Sequence, residues 1–189
     1  MMAFVGQWSF HMRRRRAART AGERAMTVVT VEELLRAARA IVGKVRYCTV
    51  ATPAADRGAS ARVVQPFPPG EDWSVAFVTS ASSRKADEIF RGGRMTLLYQ
   101  HDRSGAYVAL SGRAWLDADA EAKAGVWDPE LDEWFPAGPR NPDAVLARLA
   151  PERIEVWSLS DGIVPEPRGL RAAVVARDGE GGGWRAVHL

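Results

Sequence analysis

Cysteine is almost missing. Cys48 stands alone in 189 residues, so no disulfide can form within the chain, and no Cys/His group has the spacing of a zinc site. A single thiol suits a reducing compartment, and the cytoplasm is the expected location. No apolar run is long enough to span a bilayer, so no membrane partner is expected. Histidine is scarce, and His101 and His188 are isolated, so no side chain stands out as a general acid or base. There is no Gly-x-Gly-x-x-Gly fingerprint of a dinucleotide-binding parallel sheet.

Excess charge is missing too, once the chain is divided. The net charge is +3, but residues 1–26 hold six arginines (Arg13, Arg14, Arg15, Arg16, Arg19, Arg24) against Glu23. Residues 27–189 then carry 20 basic and 22 acidic side chains, a net of −2. The body is therefore not a basic nucleic-acid-binding domain, and nucleic acid is not an expected partner. The Arg-rich leader, 1–26, has no period and reads as disordered. It lacks the apolar segment of a secretory or twin-arginine signal. An extension upstream of a natural start at Met26 is the preferred reading; a transit peptide and a nucleic-acid-binding arm are the alternatives. Residues 27–189 form one domain.

What is present is a series of short β patterns with few helices. Thr30-x-x-Glu33 is a capping box, followed by Leu34, Leu35, Ala38, Ile41 and Val42 at helical spacing up to Gly43. Residues 45–52 read as a strand bounded by Pro53, paired through a turn with 60–67. Alternation puts Arg62 and Val64 on one face, Val63 and Gln65 on the other. After the Pro66–Gly70 break, 73–79 read as a strand with Trp73, Val75, Phe77 and Thr79 on one face. A helix follows, with Ala86, Ile89 and Phe90 as its buried stripe and Gly92-Gly93 at its end. Strands over 94–101 and 107–116 flank a turn at 102–105, and Gly112 marks a bulge or a close approach. Beyond lie a helix over 117–126 started by Asp117 or Asp119, an acidic loop to Gly138 with Trp127, Trp134 and Phe135 packed on the barrel or, as the alternative, touching a ligand, and a short helix over 141–149. A strand over 151–157 follows, with Ile154, Val156 and Leu159 alternating inward, and then a hairpin over 171–177 and 184–188. Hairpins with a single strand–helix unit point to a mainly β fold, an antiparallel Greek-key barrel with peripheral helices.

The turn between strand and helix at 79–85 carries the chemistry. It holds Thr79, Ser80, Ser82, Ser83, Arg84 and Lys85. A helix start offers free N–H groups and the positive end of the dipole, and hydroxyls with a planar guanidinium and a point-charge ammonium complete a phosphate cradle. The same residues also fit a capped helix with a solvated basic first turn. From the residues alone both readings stand.

Thr79-Ser-Ala-Ser-Ser-Arg-Lys-x-x-x-Ile89 resembles the flavin-phosphate segment of the pyridoxamine 5′-phosphate oxidase family. Arg62-Val-Val64, Gly112-Arg113-Ala114 and Ile154-Glu-Val-Trp157 are similar to further strands of that family, and the 126–138 loop is similar to its general stress protein branch. The resemblance implies a split β-barrel that forms a homodimer with FMN at the interface. It implies that Arg62, Ser83, Arg84 and Lys85 hold the phosphate, and that Val63, Val64, Val78 and Thr79 line the ring. Trp157 and Arg171, with Arg168 as the alternative to the latter, would approach from the other subunit or a distant strand; near Tyr107 the family has a flavin-contacting glutamine. Three departures follow. The family's Arg-Leu-His-Asp-Arg stands here as Pro167-Arg-Gly-Leu-Arg171 without histidine, the substrate cluster is replaced by the 126–138 loop, and the glutamine is replaced. The expected activity is thus an FMN-dependent oxidoreductase acting on a small molecule other than pyridoxamine phosphate. The alternatives are an F420-dependent reductase of the same fold and a non-enzymatic flavin-binding stress protein.

Overall fold

A computed structural model of the chain describes residues 29–55, 58–165, 170–179 and 181–189. The leader and Arg168 lie outside them.

Thr30 caps helix α1 (Val31–Val42) with both bonds of the capping box, and Gly43 closes it. Leu34 and Ile41 are buried on its inner face, each contributing about 1.5–3 kcal/mol by leaving water. Strands β1 (Cys48–Ala54) and β2 (Gly58–Val64) form the first hairpin. Strand β1 runs past Pro53, where the expected boundary lay. Proline is tolerated there because β4 pairs only with Thr49–Ala51, so no ladder bond is lost on that side. Trp73 belongs to the turn, not to the strand: it is buried with φ +70°, its N–H donates to Gly70 O at 3.0 Å, and the Arg39 guanidinium lies 4.3 Å from its ring centre. Strand β3 (Val75–Ser80) starts two residues later and leads into helix α2 (Arg84–Gly92).

Strand β4 (Arg94–His101) and strand β5 (Ala106–Asp117) form the second hairpin. Helix α3 (Ala120–Ala124), capped by Asp119, opens the loop to residue 143. In that loop Trp127 packs edge-on to Phe135, but Trp134 is 74% exposed and does not pack on the barrel. The expected helix over 141–149 is absent. Residues Ala144–Ser158 form one 15-residue strand, β6. Ala144 to Ala147 are buried without alternation because β6 lies between β3 and β5, and such a run cannot be told from a buried helix by period. Pro151 lies inside β6 at a bulge: Ser111 pairs with Arg153 and Gly112 with Pro151, leaving Glu152 extra. Any Cβ on Gly112 would collide with the Ala150 carbonyl. Leu159 turns out to solvent rather than inward. Strands β7 (Ala173–Arg177) and β8 (Trp184–His188) complete the sheet, whose order is β2-β1-β4-β5-β6-β7-β8 with β3 also on β6.

Every pairing is antiparallel. The core is filled by Phe77, Leu97, Tyr99, Leu110, Leu149 and Ile154 with α1 packed against it. The expected mainly β split barrel is the fold observed. Its opening lies where β2 and β3 diverge. Phe67 N–H donates to Ala76 O at 2.8 Å, and among the described residues no backbone bond joins Arg62–Val64 to Val78–Ser80.

Candidate functional site

Helix α2 begins at this opening. Ser83 is its N-cap, its hydroxyl accepting from Ala86 N–H at 3.3 Å. The N–H groups of Arg84 and Lys85 make no backbone bond among the described residues, as the first turn of a helix requires. Thr79 Oγ1 lies 3.4 Å from Ser83 Oγ. Ser80 and Ser82 form a separate pair at 2.7 Å beside Asp143, whose carboxylate accepts from Ser82 N–H at 3.1 Å. The Ser80 hydroxyl and the Ser82 N–H hold the Asp143 carboxyl below its usual range. The hydroxyls thus form two pairs, Thr79 with Ser83 and Ser80 with Ser82.

Strand alternation turns Thr52, Ser60 and Arg62 toward α2, and β1–β2 register sets Thr52 opposite Ser60. They meet Glu88, which is 8% exposed. Glu88 Oε2 accepts from Thr52 Oγ1 at 2.6 Å and pairs with Arg62 Nη2, while Oε1 accepts from Ser60 Oγ at 2.9 Å and lies 3.5 Å from Arg84 Nε. Arg62 Nη1 also donates to Thr52 Oγ1 and to Ser60 O. Burial alone would raise the Glu88 carboxyl, but the Thr52, Arg62 and Ser60 hydrogen bonds and the Arg62 charge outweigh it and hold it at about 2. Lys85 is half-buried, and burial followed by the nearby Arg62 charge lowers its ammonium pKa. Among the described residues Lys85 has no ion pair.

Glu88 is the residue that sequence reasoning missed. Phe90, expected in the buried stripe, is 80% exposed. The buried stripe is Glu88 and Ile89 with Ala86 at its edge and half-buried Lys85 one turn before. The i, i+4 spacing of Arg84 and Glu88 was the available signal.

The remaining expected residues form a second group. Tyr107 of β5 pairs with Trp157 of β6, and their rings stack at 6.3 Å and 14°. Burial and then Glu155 raise the Tyr107 phenol. Arg171 is exposed two residues before Ala173, which pairs with Val156, so it belongs to the same end of the sheet. Val63 is 67% exposed on the outer face, Val64 is buried inward, and Val78 is half-buried beside Thr79. Val145, the register partner of Thr79, lies twelve residues before Trp157 on β6, about 40 Å of strand. One chain does not bring the two groups together. A separate recess of about 510 Å³ beside the bulge is lined by Asp72, Arg113 and Arg177 among others and includes no residue of the cradle. Arg177 is spent there on Pro151 O, Gly182 O and Asp72 O.

The family described as "Pyridoxamine 5′-phosphate oxidase like" matches residues 33–176. General stress protein 26 of Bacillus subtilis (strain 168) is 31% identical over 86 residues, covering 44% of this chain and 61% of that protein. The match thus spans less than two thirds of that relative's length. A pyridoxamine 5′-phosphate oxidase-related, FMN binding protein from Nostoc punctiforme PCC 73102 superposes with a TM-score of 0.55 at 18% identity, over 84% of this chain and 95% of that one. The general stress FMN/FAD binding protein from Xanthomonas citri gives 0.57 at 19% identity, over 67% and 89%. At these identities the likeness is one of fold. Among the described residues no helix is long and apolar enough to cross a membrane.

Proposed function

Because the chain belongs to the pyridoxamine 5′-phosphate oxidase-like family, we propose that it is a flavoprotein binding FMN, and an oxidoreductase on a small molecule other than pyridoxamine phosphate, in the cytoplasm. One observation carries the reading: the turn from β3 into α2 holds two N–H groups and a Lys85 ammonium that have no partner among the described residues, beside the Thr79 and Ser83 hydroxyls. These groups fit a phosphate monoester. The solved relatives named for FMN or FMN/FAD binding support a flavin as its bearer.

In this reading Lys85, Arg84 and Ser83 hold the phosphate, Arg62 stands behind them, and the open edges of β2 at Val63–Val64 and of β3 at Val78–Thr79 face the ring. A bound flavin supplies hydride or single-electron chemistry, and the chain supplies position and field. The separation of the cradle from Tyr107, Trp157 and Arg171 supports a homodimer in which one copy's aromatic end meets the other's cradle. The outer face beside β2 supports it too: Val63 and Ala61 are exposed there, with half-buried Thr49, Leu98 and Ala109 alongside. The place of the family's substrate-binding histidine motif ends here at Arg171 with no histidine, which supports a different substrate.

The test is the visible spectrum of the purified full chain and the mass of the chromophore it releases, with titration of FMN into any colourless fraction. FMN bound at one per chain is the expected result. F420 in its place would replace the cofactor, and binding of neither would end the oxidoreductase reading.

A further inference from the structure

The cradle contains an anion of its own. Glu88 is buried under Arg62, fixed by Thr52 and Ser60, and within 3.5 Å of Arg84. Two of the three cations the sequence offers for a phosphate therefore already face a carboxylate. Among the described residues Lys85 faces none. Arg62 donates through Nη1 to Thr52 and Ser60 O and through Nη2 to Glu88. A guanidinium has five N–H groups, so the Nε–H and one Nη2–H stay available to a ligand. Arg62 can thus touch a phosphate without leaving Glu88. The carboxylate then stands behind the guanidinium, where its charge opposes the phosphate through a partly buried medium that screens it little.

Resting on the flavin reading above, we propose that Glu88 is the affinity-determining residue of the cradle: a resident carboxylate that offsets Arg62 and Arg84, leaves Lys85 as the dominant cation, and keeps a phosphorylated flavin exchangeable rather than permanently held. The arrangement exchanges strength for order. Glu88 fixes the Arg62 side chain before any ligand arrives, which removes a conformational cost of binding, and it lowers the net positive charge that the phosphate meets.

Glu88→Gln separates the two effects, since the amide oxygen still accepts from Arg62 or Thr52 while the charge is gone. FMN and riboflavin, which lacks the phosphate, are titrated into the full apo chain by quenching of flavin fluorescence. Wild type is expected to bind FMN more tightly than riboflavin. Glu88→Gln is expected to tighten FMN by roughly tenfold or more and to slow its release, with riboflavin unchanged. FMN affinity that is unchanged or weaker in Glu88→Gln overturns the proposal and leaves Glu88 as a support for Arg62 alone. Wild type that binds neither flavin removes the flavin reading itself. Should Glu88→Gln not fold, the partly exposed cations decide. Lys85→Ala is expected to lose roughly tenfold more FMN affinity than Arg84→Ala, and equal losses overturn the proposal.

Discussion

The two ends of the candidate site are built differently. Around α2, Arg62, Glu88, Thr52 and Ser60 satisfy one another within a single chain, and Glu88 is nearly inaccessible. At the far end of β6, Tyr107 and Trp157 stack on the sheet surface and Arg171 reaches into solvent. The first end is a preorganised charge network, in which removing any member strands a polar group. The second is an open surface, with a half-buried aromatic pair and an exposed cation. Under the proposed function, one chain supplies the phosphate contacts by itself and the flavin ring would take its second wall from another copy.

The contrast can be broken first by stability. Glu88→Ala leaves the Arg62 guanidinium without its acid and is expected to cost on the order of 3–5 kcal/mol. Trp157→Ala removes one half-buried ring from a stacked pair and should cost less, about 2–3 kcal/mol for the lost stacking and buried surface. Urea unfolding of both variants checks this, and equal costs would erase the distinction between the two ends.

The same network sets a pH dependence. The Glu88 carboxyl titrates at about 2 in the folded chain against 4.5 ordinarily. The unfolded chain therefore takes up the proton first. The stabilisation is complete above the ordinary value and is lost as pH falls from there through about 2. The loss is on the order of 3 kcal/mol, and Glu88→Gln should flatten the curve of urea midpoint against pH over that window.

Lys85→Ala sharpens the contrast from the binding side. It should weaken FMN by roughly ten- to hundredfold, the worth of one charge-assisted contact. The unfolding midpoint should barely move, since Lys85 has no ion pair among the described residues. Smallest of all is Phe90→Ser on the outer face of α2. With a side chain 80% exposed, it should change stability by less than about 0.5 kcal/mol, as thermal unfolding would show. A large loss there would mean that Phe90 is covered by a second copy.

Much of this was legible in the sequence wherever local chemistry decides. The Thr30–Glu33 box, the Ser83 cap, the left-handed Gly93 stop and the bulge at Gly112 all lie where turn and cap preferences put them. Alternation put Arg62 and Val63 on opposite faces, as they are in the structure. Two of the errors share a cause, which is that a neighbour's packing overrode local pattern. The stretch Ala144–Leu149 became strand because β3 and β5 flank it. Phe90 was displaced from the buried face by Glu88, which Arg62, Thr52 and Ser60 draw inward.

By itself the sequence determined a mainly antiparallel β fold and the strand–turn–helix around Thr79–Lys85, with the hydroxyls and cations of its turn, because period, caps and turn residues act over a few neighbouring positions. Only the tertiary structure decided that β6 is one long strand, that Glu88 sits beneath Arg62, and that the cradle lies far from Tyr107 and Trp157. Those facts depend on which strands become neighbours, and strand pairing joins residues that no local pattern relates.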